Sequence, residues 1–141
     1  MSKKTTAIHI LVVEDTPIGV MVAQAMLEAA GCTSDIANTG EEAIQKLHSH
    51  YKLVLLDLGL PDYDGFDVAR MIRNHIGEIA SVPIIALTAH ADDDKSRTLA
   101  KEIGINGLFS KPLSSALCEE IKHGLSSAKG KMDLWHLGKR V

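Results

Sequence analysis

Aromatic residues are scarce in this 141-residue chain, only 4% of it. Any core must therefore rest on aliphatic packing. Hydrophobic residues make up 45%, enough for the core of one compact domain at this length. Cysteine is nearly absent: Cys32 and Cys118 stand far apart and lack metal-ligand spacing. Both fall in apolar-periodic stretches and are expected as buried free thiols, which fits a reducing cytoplasm. Positive charge is not in excess. The formal net charge is −3, and no basic stripe appears, which argues against a nucleic-acid binder. No apolar run reaches the length of a membrane span, so no membrane contact is expected from this segment. The start, Met1 to Thr6, leads into an apolar stretch too short, and too soon broken by Glu14 and Asp15, for a signal peptide. There is no internal repeat and no low-complexity segment.

What is present is an alternation of two periods. Ile8 to Val13, Leu53 to Leu56 and Pro83 to Leu87 are nearly continuous apolar runs, the pattern of strands buried on both faces of a parallel sheet. Thr33 to Ala37 and Gly107 to Ser110 are weaker strand candidates. Helical spacing lies between them. Pro17 to Ala30 opens on a proline and stops at Gly31. Thr39 to His48 carries Ala43, Ile44 and Leu47, and Gly65 to Ile76 carries Phe66, Ala69 and Ile72. Asp92 to Ile103 begins with acids, which suit a helix N-terminus, and Leu113 to Leu125 carries Leu117, Ile121 and Leu125. Five strands alternating with five helices predict an α/β fold with right-handed crossovers. In such a fold, ligands bind beyond the carboxyl ends of the strands.

Those ends carry chemistry. The first strand ends in Glu14-Asp15, the third in Asp57 and the fourth in Thr88-Ala89, and the fifth is followed by Lys111-Pro112. Each alone has a plain structural explanation: Asp57 can open a turn before Gly59 and Pro61, Glu14-Asp15 can cap the next helix, and Lys111 can be a solvated lysine. Together they describe a site. Clustered carboxylates repel unless a cation neutralises them. Mg²⁺ takes oxygen ligands and pairs carboxylates with phosphate oxygens. A carboxylate can attack phosphorus to give an aspartyl phosphate, and a metal, a lysine and a hydroxyl suit the charge on a transferring phosphoryl group.

At this point the sequence resembles the response-regulator receiver family of two-component signalling, most like the receivers of hybrid sensor histidine kinases. The resemblance covers residues 8 to 125. It rests on Ile10-Leu11-Val12-Val13-Glu14-Asp15, Leu55-Leu56-Asp57-Leu58-Gly59-Leu60-Pro61-Asp62-Tyr63-Asp64-Gly65, Ile84-Ile85-Ala86-Leu87-Thr88-Ala89 and Phe109-Ser110-Lys111-Pro112. It implies a flavodoxin-like, doubly wound, five-stranded parallel sheet of order 2-1-3-4-5 with five helices. It also implies that Asp57 accepts a phosphoryl group from a phosphohistidine. Glu14, Asp15, Asp57 and the backbone carbonyl of Gly59 would hold Mg²⁺ or Mn²⁺, Thr88 and Lys111 would contact the phosphate, and Lys111-Pro112 would be cis. The resemblance makes the chain a phosphoacceptor, not an enzyme with its own substrate, although it would catalyse its own phosphotransfer and dephosphorylation. There are two departures from many family members. Leu108 stands where motility and transcriptional receivers often have an aromatic switch residue, and Gly59 and His90 occupy variable places near the phosphate.

The implied partner is a histidine kinase or a histidine-phosphotransfer domain. The helix from Pro17 has a second apolar face, with Ile18, Met21, Val22 and Ala25 opposite the side formed by Val20, Ala23, Met26, Leu27 and Ala30. Ile18, Met21, Val22, Pro112 and Leu113 are the expected docking residues. The predicted organisation is an N-terminal extension, 1–7, a receiver domain, 8–125, and a linker or tail, 126–141, which is either a mobile end or a segment whose Met132, Leu134, Trp135 and Leu137 form a short helix or dock on the body. A cytoplasmic, monomeric domain is expected, as part of a hybrid sensor kinase. The alternatives are a stand-alone single-domain regulator, a haloacid-dehalogenase-type phosphatase and a flavin-binding module. The phosphatase would want an acid two residues after its nucleophile, where Gly59 stands. The flavin module would want a Ser/Thr/Gly-rich loop, where Glu14-Asp15-Thr16-Pro17 stands.

Overall fold

The structure, a computed structural model, describes residues 7–126 and 132–137. Five parallel strands form one sheet in the order β2-β1-β3-β4-β5. They are β1 (His9–Val13), β2 (Thr33–Ala37), β3 (Leu53–Asp57), β4 (Ile84–Thr88) and β5 (Gly107–Ser110). Between and after them run α1 (Pro17–Ala29), α2 (Gly40–Lys46), α3 (Gly65–Arg73), α4 (Asp94–Ile103) and α5 (Ser115–Ser126).

Strand periodicity sorts the core into two layers. Ile10, Val12, Leu53, Leu55, Ile85, Leu87 and Phe109 face α1 and α5, where Ala23, Leu27, Leu117, Cys118 and Ile121 meet them. Leu11, Val13, Val54, Leu56, Ile84, Ala86 and Leu108 face the other way, onto Ala43, Val68, Ala69, Ile72 and Ala100 of α2, α3 and α4. Each fully buried Leu or Ile is worth about 1.5–3 kcal/mol relative to exposure, so the sheet interior dominates stability. Cys32 and Cys118 are buried and free, and burial pushes both thiols up, Cys118 to about 11.

The helix ends follow their caps. Thr16 caps α1, its Oγ1 accepting the Gly19 N–H at 3.0 Å, with Pro17 as the first helical residue. α2 is shorter than its periodicity suggests. Thr39 is its cap, and Leu47 is already extended, where the His48 ring stacks on Tyr51 at 4.2 Å between centroids. α4 begins at Asp94, because Asp93 caps it through the Ser96 N–H. α3 stops at Arg73 rather than reaching Ile76, and a 3₁₀ turn, Gly77–Ser81, follows. Gly77 there takes φ +67°, which favours glycine.

Arg73 organises the sheet end remote from the acids. Its guanidinium donates to the carbonyls of Ala80, Val82 and Gly104 and to Asn106 Oδ1, at 2.8–3.1 Å. Burial lowers its pKa, yet these acceptors keep it satisfied without a carboxylate. Replacing Arg73 with Met removes the shared donor from all of them, at an expected cost of about 2–3 kcal/mol in urea unfolding.

The segment 132–137 packs onto the body. Met132, Leu134 and Leu137 join the α1/α5 core layer. Trp135 donates from Nε1 to Ile105 O at 3.0 Å and lies under Arg97 and Lys101. Asn106 Nδ2 ties down Met132 O at 2.8 Å. The described part of the expected tail is thus docked, while the remainder, 127–131 and 138–141, and most of the 1–7 extension lie outside the described residues.

Candidate functional site

The carboxyl ends of β1, β3, β4 and β5 converge on one edge. Asp57 continues the side of β3 that carries Leu53 and Leu55, so it points toward α1 and is only 3% exposed. Its Oδ1 accepts from Lys111 Nζ at 2.9 Å and from the Gly59 N–H at 2.9 Å. Its Oδ2 is buried with no hydrogen-bond partner among the described residues. Glu14, Asp15 and Asp57 each offer an oxygen within 4.8 Å of the others, so three carboxylates face one ammonium.

Glu14 is 7% exposed and turned back over the start of α1, where its Oε2 accepts from the Thr16 N–H at 3.1 Å and the Thr16 hydroxyl at 3.0 Å. Burial pushes its carboxyl pKa up. The Thr16 hydrogen bonds oppose that rise and the charge of Asp57 adds to it. Burial works against the Lys111 charge as well, but its bond to Asp57 and the fields of Asp57, Glu14 and Asp15 outweigh this and raise its pKa. The ammonium therefore stays charged.

An orphaned buried carboxylate oxygen beside two further acids is costly unless a cation completes it. Oxygen donors of this kind suit a hard dication such as Mg²⁺, so the donor set fits the metal that the resemblance implies.

Thr88, half-buried, ends β4 beside this group. Its Oγ1 accepts the His90 N–H at 3.2 Å, and its carbonyl accepts the Lys111 N–H at 2.9 Å. His90 itself is exposed. The Lys111-Pro112 bond is cis. Leu108 is fully buried in the opposite core layer.

Of the expected docking residues, Ile18 and Met21 are strongly exposed, 74% and 66%, and Val22 is half-buried. Pro112 is exposed, whereas Leu113 is only 3% exposed. Ile18, Val22, Pro112 and Leu113 line one cavity of about 220 Å³ together with Glu14, Asp57 and Lys111. Leu113 thus contributes a wall of that cavity rather than an outward contact, and Met21 stands outside it. Two residues of the site are not singled out by sequence reasoning: Thr16, which holds Glu14, and Gly19, which also lines the cavity. A Thr just before Pro17 is a readable helix-cap signal. Nothing in the local pattern of Gly19 marks its role.

Fold and site together define an open α/β domain with an acid cluster and a lysine at the strand ends. The chain belongs to the response regulator receiver domain family, which matches residues 10–122. It is 38% identical over 109 residues to the aerobic respiration control sensor protein ArcB of Escherichia coli K12, covering 77% of this chain and 14% of that protein. It is 36% identical over 118 residues to the osmosensing histidine protein kinase SLN1 of Saccharomyces cerevisiae, covering 79% of this chain and 9% of that one. It thus spans a small part of either relative. Among solved structures, it resembles the receiver domain of the sensor histidine kinase PA1611 from Pseudomonas aeruginosa PAO1, with a TM-score of 0.76 and 32% identity. That match covers 86% of this chain and all of the other, whose active-site cleft coordinates a magnesium ion. No helix among the described residues is long and apolar enough to cross a membrane.

Proposed function

We propose that this domain takes a phosphoryl group from a phosphohistidine onto Asp57. The observation that carries this is the asymmetry of that carboxylate, which stands in a cluster with Glu14 and Asp15. Lys111 and Gly59 hold one oxygen, while the other is buried and unpartnered among the described residues. The free oxygen attacks phosphorus, the P–N bond breaks, and its electron pair returns to the imidazole nitrogen. Lys111 and the Thr88 hydroxyl receive the charge on the transferred group. Mg²⁺ or Mn²⁺, held by Glu14, Asp15, Asp57 and the Gly59 carbonyl, would supply positive charge to the phosphoryl oxygens. Loss of the phosphate is hydrolysis of the same acyl phosphate, catalysed by the same groups.

The donor or acceptor is a histidine kinase or a histidine-phosphotransfer domain, which meets Ile18, Met21, Val22, Pro112 and the cavity wall at Leu113. Likeness to parts of ArcB and SLN1 supports a place in a hybrid sensor kinase on the cytoplasmic side of the membrane. Leu108 supports it too, since no aromatic side chain is available there to swing between two positions. Because 132–137 is docked, the folded unit is best drawn from residue 8 to at least Leu137, longer than periodicity alone suggests.

Calorimetric Mg²⁺ binding tests the metal half of this reading. Asp15→Ala should lose more than the roughly 10- to 100-fold in affinity that loss of an orienting neighbour costs, because it removes a ligand and a charge. Unchanged binding in that variant would remove Asp15 from the site.

A further inference from the structure

Gly19 is the third residue of α1, a place where glycine weakens the helix more than any other ordinary residue would. It has no positive φ to account for it. Its surroundings do account for it. A Cβ built on Gly19 would stand 2.4 Å from Glu14 Cδ and 2.7 Å from each of its carboxylate oxygens. No real Cβ tolerates such contacts, and the atoms it meets belong to an acid held in place by two hydrogen bonds from Thr16. Gly19 also donates its own N–H to the Thr16 hydroxyl, the group that in turn donates to Glu14. One turn of backbone thus builds a slot: Thr16 grips the carboxylate, and the missing side chain of Gly19 leaves room for it.

We infer that Gly19 is a positioning residue for Glu14. It allows a glutamate, one methylene longer than aspartate, to fold back against α1 while its carboxylate stays within reach of Asp15 and Asp57. The inference rests on the metal-binding reading above for its consequence, but not for the contact itself. Any side chain at position 19 forces the carboxylate out of the slot or lifts α1 from β1. Either outcome breaks the acid cluster, although residue 19 contributes no ligand atom.

The test is a pair of substitutions read in two ways. In calorimetric Mg²⁺ binding, Gly19→Ala should weaken affinity roughly 10- to 100-fold, the usual cost of losing a residue that orients a ligand. Combined with Glu14→Asp, whose shorter side chain needs less of the slot, Gly19→Ala should cost at most about threefold relative to Glu14→Asp alone. In thermal melting without metal, Gly19→Ala should lower the midpoint in the wild-type background. In the Glu14→Asp background it should leave the midpoint unchanged or raise it, since alanine is the better helix former. Equal losses in both backgrounds would make Gly19 an ordinary packing position and overturn the inference, as would wild-type Mg²⁺ affinity in Gly19→Ala. Should the wild-type chain bind no Mg²⁺, the metal reading fails, while the melting comparison still decides whether residues 14 and 19 are coupled.

Discussion

Asp57→Asn should abolish phosphoryl uptake while leaving the domain folded. An amide oxygen retains the shape of the carboxylate oxygen it replaces, so Lys111 Nζ and the Gly59 N–H keep an acceptor where each now sits 2.9 Å from Oδ1. What disappears is the anionic nucleophile. A carboxamide does not displace an imidazole from phosphorus at a useful rate. The substitution also removes one of three mutually repelling acids, and the charge of Asp57 is among the causes that push the Glu14 pKa up. Thermal stability without metal should therefore be equal to or above that of wild type. Intact-mass measurement after exposure to a small phosphodonor reads the uptake, and a melting curve reads the fold. A variant that melts far below wild type would show that Asp57 holds the structure rather than the chemistry. Undiminished uptake would place the acceptor elsewhere.

The second large effect concerns the partner. Ile18→Asp or Val22→Asp should slow phosphotransfer from a phosphorylated histidine domain by about 100-fold, the scale on which misplaced reactants lose rate. Uptake from a small phosphodonor should remain intact. Ile18 is 74% exposed on α1, so a charge there costs the isolated domain little. On binding, the same charge would have to be desolvated against an apolar surface. Val22 lines the cavity that runs from α1 to Pro112 and on to Asp57, so it lies on the path a partner imidazole would take. The two rates separate docking from chemistry. If both fall together, the substitutions have disturbed the acid cluster. If neither falls, α1 is not the docking face.

Much of the fold and site is legible in the residues themselves. The apolar runs at Ile8 to Val13, Leu53 to Leu56 and Pro83 to Leu87 fall within a residue of β1, β3 and β4, because strands buried on both faces leave no room for polar alternation. The acids and Lys111 stand at strand ends, where an α/β sheet places its site. The strand order comes from family resemblance, not from periodicity, since the pattern of residues does not say which strands are neighbours. Helix ends are less legible, for reasons of cap chemistry. Asp92, Asp93 and Asp94 are all acceptable near a helix start, and only the bond from the Ser96 N–H to Asp93 marks which of them is the cap. α3 stops at Arg73, whose guanidinium meets the carbonyls of Ala80, Val82 and Gly104, groups brought together only in three dimensions. Docking of 132–137 depends likewise on Asn106 and Ile105, about 30 residues earlier in the chain. The slot at Gly19 is invisible in the sequence, because a glycine in a first helical turn carries no signal until its neighbour is known to be the Glu14 carboxylate.

The central claim is that Asp57 accepts phosphate with help from a metal at the acid cluster. The most direct measurement incubates the wild-type chain with a small phosphodonor, with Mg²⁺ in one sample and chelator in the other, and maps the product by peptide mass. The expected product is one phosphoryl group per chain, on the peptide containing Asp57, sensitive to base as an acyl phosphate is, and lost in chelator. Full labelling in chelator, or a phosphoryl group on any other residue, would contradict it.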